Sequence, residues 1–245
     1  MNPTKRLRIF AGPNGSGKST LVKLVEKLNV DLGIFINADD IKKELNSHRF
    51  LDFTSYNLTL DEVDLKTVFE NSSLFLLSEG DSLLPKLHFK DNQLLISNQV
   101  TVNDYFTSFV SSYLRTQLLN TATKFTFETV MSHPSKLEFI QLAKERGYRI
   151  YLYFVALDNP ALCVARVEAR VKQEGHDVPA NKVIERYERT MNLLLDAIRI
   201  ADRAYLFDNS YSEPKMFAIA NNKEISILNA EFAPAWFQKY VIDKL

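Results

Sequence analysis

The stretch "RIFAGPNGSGKSTLVKL", Arg8–Leu24, gathers three of the chain's seven glycines, Gly12, Gly15 and Gly17, between an apolar run and a helical pattern. The segment Gly12–Ser19 meets G-x-x-x-x-G-K-[ST] at every required position. Glycines let the backbone fold around an anion so that its N–H groups converge, and a helix starting after Gly17 aims its positive end at the same point. Side chains there would block the approach. The pattern predicts a phosphate cradle made by Gly12, Pro13, Asn14, Gly15, Ser16, Gly17, Lys18, Ser19 and Thr20. Lys18 is expected to reach the β- and γ-phosphates of a nucleotide, and the Ser19 hydroxyl to ligate Mg²⁺.

Around this stretch, apolar runs alternate with helical patterns. Strands are predicted at 7–12, 33–40, 124–131, 148–157 and 203–210, and helices at 19–28, over "HPSKLEFIQLAKERG", from Asn159–Pro160 to Gly175, and over "NKVIERYERTMNLLLDAIRIA". Such alternation argues for a parallel sheet covered on both faces. Residues 51–122 break the rhythm with two helical pieces around a hairpin, "KLHFKDNQLLISNQVTV", and read as a mainly helical insertion for acceptor or partner binding. Residues 213–245 read as a hairpin with an Asn-Asn turn followed by a helix. The expectation is one domain over 1–245, an α/β three-layer sandwich with a mostly parallel sheet.

Thirty Lys and Arg balance thirty Asp and Glu, so no overall pull toward nucleic acid or an anionic membrane is expected. A kinase acting on nucleic-acid ends is disfavoured on that ground. Cys163 is the single cysteine, which excludes an intrachain disulfide and a multi-cysteine metal site. With no signal-like or membrane-spanning apolar run, the expected location is cytoplasmic.

Carboxylates supply the candidates for chemistry. Asp39 in "FINADDI" is expected beyond the carboxyl end of the second strand, where ligands of open α/β sheets sit; alternatively Asp39 or Asp40 caps the helix that follows. Glu128 in "KFTFETV" lies between aromatic and β-branched neighbours, where a charge needs partners. It could hold a metal-bound water or a substrate hydroxyl, face solvent, or form a structural ion pair. Thr129, on the other face or entering the next loop, is taken with it as a substrate-binding candidate.

Arg166 and Arg170 on one helix, and Arg186 and Arg189 on the next, flank a break at "EGHDVP". They could close over phosphates as a lid, or form a solvated face paired with Glu168, Glu174, Glu185 and Glu188. His133 and His176 have no partner spacing that suggests a metal.

Taken in order, "AGPNGSGKST", "INADDI", "FETVMSHPSKLEFIQLAKERGYRIYLYFV" and "RVEARVKQEGHDVP...IERYERTMNLL...ADRAYLFDNS" resemble the zeta toxin family of P-loop kinases. The resemblance covers roughly residues 6–45 and 124–210. It implies a P-loop kinase fold, ATP with Mg²⁺, phosphorylation of a small-molecule hydroxyl, UDP-N-acetylglucosamine in the toxins proper, and an antitoxin partner. By position it makes Lys18 the Walker lysine, Asp39 the acidic residue after the second strand, Glu128 the strand glutamate near the acceptor, and Arg166 or Arg170 the arginines over phosphate. From another class, the same loop suits a nucleotide-dependent switch or NTPase whose insertion binds a protein.

Overall fold

A computed structural model describes residues 4–172, 178–228 and 233–245. Contacts divide the chain into two compact units, one formed by 1–33 with 123–245 and the other by 34–122. The insertion expected over 51–122 falls inside the second unit, which begins earlier, at Ile34. Chain order gives β1 (Arg6–Ala11), α1 (Lys18–Lys27), β2 (Ile34–Ile36), α2 (Ala38–His48), β3 (Phe50–Asp52), α3 (Glu62–Glu70), α4 (Gly80–Leu83), β4 (Leu87–Lys90), β5 (Gln93–Ile96) and α5 (Asp104–Thr121). It continues with β6 (Lys124–Thr129), α6 (Ser135–Glu145), β7 (Arg149–Ala156), α7 (Pro160–Val171), α8 (Ala180–Ile200), β8 (Arg203–Asp208), β9 (Lys215–Asn221), β10 (Glu224–Ile227) and α9 (Ala235–Tyr240).

Within the first unit the sheet order is β10-β9-β8-β7-β1-β6. β1 pairs in parallel with β6 and β7, and β7 with β8, while β9 and β10 run antiparallel. Both faces of β1 are covered, since Leu7, Ile9, Phe10 and Ala11 are all fully buried. This is why the strand reads as a continuous apolar run rather than an alternating one. The moves from β6 to β7 and from β7 to β8 go the same way across the sheet, so right-handed crossovers put α6, α7 and α8 on one face. Rings stack across three strands, Phe10 on Tyr153 at 4.7 Å and Tyr153 on Tyr205 at 4.9 Å. Asn159 caps α7 by accepting from Leu162 N, with Pro160 as its first residue, the arrangement in which the missing proline N–H costs nothing.

The second unit has its own small antiparallel sheet, β3-β5-β4. Asp91 and Asn92 both take positive φ (51° and 62°) in the β4–β5 turn, as a tight hairpin matched to strand twist requires. Its core is aromatic: Phe69 meets Phe106 and Phe109 at 5.2 and 4.6 Å between ring centres. Asn103 starts α5 by accepting from Tyr105 N and Phe106 N.

Two local expectations change. The Asn-Asn hairpin turn is Asn222–Lys223 instead, the two residues at positive φ between β9 and β10. The second strand ends at Ile36, because Asn37 turns the chain into α2.

Candidate active site

In the first unit, β1 ends at Ala11 and the backbone must turn under three neighbours at once. Gly12 (φ 152°) lies so close to β7 that a Cβ would stand 2.0 Å from the Val155 carbonyl oxygen. A Cβ on Gly15 (φ 73°) would stand 2.6 Å from the Cys163 carbonyl of α7, and one on Gly17 (φ 97°) 2.3 Å from Asn209 Nδ2 after β8. Each glycine thus answers to a different wall. The loop they permit leads directly into α1, whose N-cap is Gly17 with no capping side chain. Helix N–H groups without a side-chain cap are the ready partners of an anion.

Lys18 is only 8% exposed, and its Nζ donates to Pro13 O at 3.0 Å, across the mouth of the loop. Ser19 Oγ donates to Glu128, at 3.0 Å from Oε2 and 3.3 Å from Oε1. Glu128 reaches it because Phe10 and Glu128 are register partners on β1 and β6. Two hard oxygen donors therefore meet beside the lysine, a set suited to a small divalent cation such as Mg²⁺. Asn14 Oδ1 and Ser16 Oγ are buried without a hydrogen-bond partner, so the loop holds polar capacity that the protein itself leaves unused. A glycine loop held tightly against β7, α7 and the end of β8, an uncapped helix N-terminus, a buried lysine and orphaned polar atoms fit a polyphosphate.

Thr129 is register partner to Ala11, and its Oγ1 accepts from Met131 N at 3.1 Å. The arginines are distributed differently from a single closing row. Arg166 donates from NH2 to the carbonyls of Asn209 (2.7 Å) and Tyr211 (3.1 Å), tying α7 to the loop after β8. Arg170 is exposed one turn further along α7. Arg189 pairs with Glu185 at 3.3 Å, an exposed contact of small energetic value, and Glu188 accepts from Tyr240 OH. His176 and Glu174, in the break of the expected lid, lie outside the described residues. His133 Nδ1 accepts from Ser135 N at 3.2 Å and lies 2.9 Å from Ser135 Oγ, as a loop histidine does.

Asp39 belongs to the second unit. Asn37, in extended conformation, caps α2 by accepting from Asp39 N at 3.0 Å, so neither Asp39 nor Asp40 is the cap. Both carboxylates occupy the first helical turn, where negative charge is favoured. The carboxyl of Asp40 is raised above its usual range by burial and then by the charge of Asp39. Glu44, one turn on, is raised by burial and by Asp52 and Asp40, and burial with Glu44 and Asp40 pushes the Tyr56 phenol up to about 12. Glu44, Asp52 and Tyr56 are not among the residues the sequence singles out. The i, i+4 spacing of Asp40 and Glu44 carried part of that signal; Asp52 and Tyr56 join only through the fold.

Cys163 is fully buried, and that burial pushes its thiol up to about 12 against the partial offset of Lys18 and Arg166. The native thiol should therefore react with alkylating reagents at pH 8 roughly a thousandfold more slowly than the unfolded chain. Mass spectrometry of native and denatured samples checks this; equal rates would contradict it. Since the unfolded thiol releases its proton first, stability should decline as pH rises from 9 toward 12.

A parallel sheet whose central strand feeds a glycine loop, a buried lysine and a helix-borne hydroxyl defines a P-loop α/β protein. The profile described as AAA domain matches residues 7–194, and the chain belongs to that family. An uncharacterized protein of Haemophilus influenzae is 24% identical over 179 residues, 73% of this chain and 89% of the relative. Among solved structures, one chain of the AvrRxo1-ORF1:AvrRxo1-ORF2 complex with sulphate ions shares the fold (TM-score 0.59, 17% identity, 97% of this chain and 63% of that one). The same complex with ATP gives a TM-score of 0.55 at 17% identity, over 98% of this chain and 64% of that chain. A chain of the PezAT chromosomal toxin–antitoxin system of Streptococcus pneumoniae gives 0.52 at 16% identity, over 97% and 79%. This chain thus spans less than two thirds of the AvrRxo1 chains it matches. The P-loop α/β fold with a mostly parallel sheet expected from the sequence is the one observed, and the AvrRxo1 and PezAT chains share it. No helix among the described residues is long and apolar enough to cross a membrane.

Proposed function

We propose that this protein is an ATP-dependent kinase that transfers the γ-phosphate of ATP to a hydroxyl group of a small molecule, with a zeta-toxin-like sugar nucleotide such as UDP-N-acetylglucosamine as the acceptor class. The observation that carries this reading is the glycine cradle with Lys18 at its mouth and Ser19 Oγ 3.0 Å from Glu128. When bound, ATP supplies the phosphoryl group and Mg²⁺ neutralises charge on its oxygens. Lys18 gives up Pro13 O and turns its ammonium to the phosphate oxygens, where negative charge develops. Ser19 and Glu128 would hold the metal. Arg170, and Arg166 if it releases its carbonyls, would add positive charge. Asp39, exposed and not used as a cap, would accept the hydrogen bond of the acceptor hydroxyl and take its proton, with Glu128 and Thr129 as further substrate contacts.

An antitoxin partner is proposed by analogy with the PezAT toxin–antitoxin system, one of whose chains shares the fold, and a cytoplasmic location is proposed with it. Incubation with γ-labelled ATP and a metabolite extract identifies the acceptor as the labelled product. Asp39→Asn should lower transfer about 10²- to 10⁴-fold while ATP affinity stays near wild type. Transfer at the wild-type rate would remove Asp39 from the mechanism.

One observation favours a second reading, a nucleotide-dependent switch whose second unit docks a protein. Leu76 and Leu77, in the apolar run "SLFLLS", are 80% and 51% exposed. That reading predicts ATP hydrolysis with no acceptor and labels no metabolite.

A further inference from the structure

The residue after β8 does more than end a strand. Asn209 is 5% exposed and lies 193 positions along the chain from the loop residue it grips. Its Nδ2 donates to Ser16 O at 2.9 Å, its own N–H donates to Ala156 O at 2.9 Å, and its carbonyl accepts from Arg166 at 2.7 Å. Main chain on one side and a guanidinium on the other thus fix the amide that holds the glycine loop. The same Nδ2 is the wall against which a Cβ at Gly17 would collide.

A trans peptide is planar, and its C=O and N–H point in opposite directions. Holding Ser16 O toward Asn209 therefore directs the Gly17 N–H the other way. The peptide is bordered by a glycine, whose permissive backbone would otherwise let the unit turn over. Next to Asn209, Asp208 is also buried, and its Oδ2 accepts from Trp236 Nε1 at 2.9 Å and from Ser210 Oγ at 3.0 Å. Trp236 is 2% exposed, packs edge-on against Phe217, and is the chain's only tryptophan.

We infer that Asn209 is a positioning residue that locks the Ser16–Gly17 peptide with its N–H turned toward the phosphates, and that Asp208 and Trp236 brace it from α9. The inference rests on the loop being the ATP site proposed above, but its geometry can be tested without nucleotide. Asn209→Asp keeps the shape and removes the donor; Asn209→Ala removes both. In the nucleotide-free protein, the Gly17 amide NMR cross-peak should shift or broaden in both variants. With ATP, the KM should rise about tenfold, the worth of one buried hydrogen bond left unmade, with a smaller change in kcat. Trp236→Phe, which keeps a ring but not the donor, should weaken ATP binding less than either and serves if the Asn209 variants do not fold. A Gly17 signal unchanged in Asn209→Asp, or ATP parameters equal to wild type in all three variants, would overturn the inference. Failure of the wild type to bind ATP, with the Gly17 signal still responding to Asn209→Asp, would instead sink the kinase reading and leave the lock standing.

Discussion

Lys18→Ala is expected to abolish detectable phosphoryl transfer, with a fall in kcat on the order of 10²- to 10³-fold or more. The lysine is the cation buried at the mouth of the glycine loop, where its Nζ rests on Pro13 O. A charge held at 8% exposure is only partly screened by water, so its attraction for phosphate oxygens exceeds that of a surface lysine. Removing it also deletes the donor that would meet the phosphate oxygens on which charge builds up during transfer. The fold should survive, because Lys18 opens α1 and the apolar contacts of that helix come from Leu21, Val22 and Val25. A labelled-ATP assay beside a thermal melt separates the two effects. Turnover at the wild-type rate in a folded Lys18→Ala protein would refute the kinase mechanism.

Gly12→Ala should have the largest effect on stability. The added methyl would stand 2.0 Å from the Val155 carbonyl oxygen and 2.9 Å from Ser16 Oγ. The first of these is main chain in the middle of a parallel sheet, and it cannot swing aside as a side chain can. The backbone there also has φ 152°, a conformation that side chains rarely adopt. Overpacking of this kind costs about 3 kcal/mol or more. For a chain of this size that is roughly a 6–12 °C fall in melting temperature. Nucleotide binding should fall with it, because the displaced segment is the one that starts the cradle. A Gly12→Ala protein that melts with the wild type would show that β1 and β7 lie further apart at this point than described. Gly147, at φ 81° with nothing within 4 Å of a Cβ, is the natural comparison: alanine there meets only backbone strain.

The legible parts of this protein were those in which the signal is local. Three glycines, a lysine and a hydroxyl within eight residues are close enough in sequence to carry their own geometry, and so the loop could be read directly. The strands of the parallel sheet were equally readable, since burial on both faces leaves an apolar run. Where the local signal was short it failed. β3, only Phe50–Asp52, has too few residues to show alternation, and no strand was expected there. The continuous run "GIFINADD" predicts a strand through Asp39, whereas the Asn37 side chain, by accepting from Asp39 N, begins a helix there. Helical spacing groups Arg166 with the other arginines, yet its partners are two carbonyls more than forty positions away.

By itself, then, the sequence determined that this is an α/β protein with a phosphate loop, because backbone freedom and hydrophobic period are properties of neighbouring residues. Tertiary structure alone decided which distant groups complete that loop. Ser19 meets Glu128 across 109 positions, and Ser16 meets Asn209 across 193, because the sheet sets β1 between β6 and β7 and brings the end of β8 within reach. Strand order is a property of the whole packed sheet, settled by how every face is buried, and no single segment carries it.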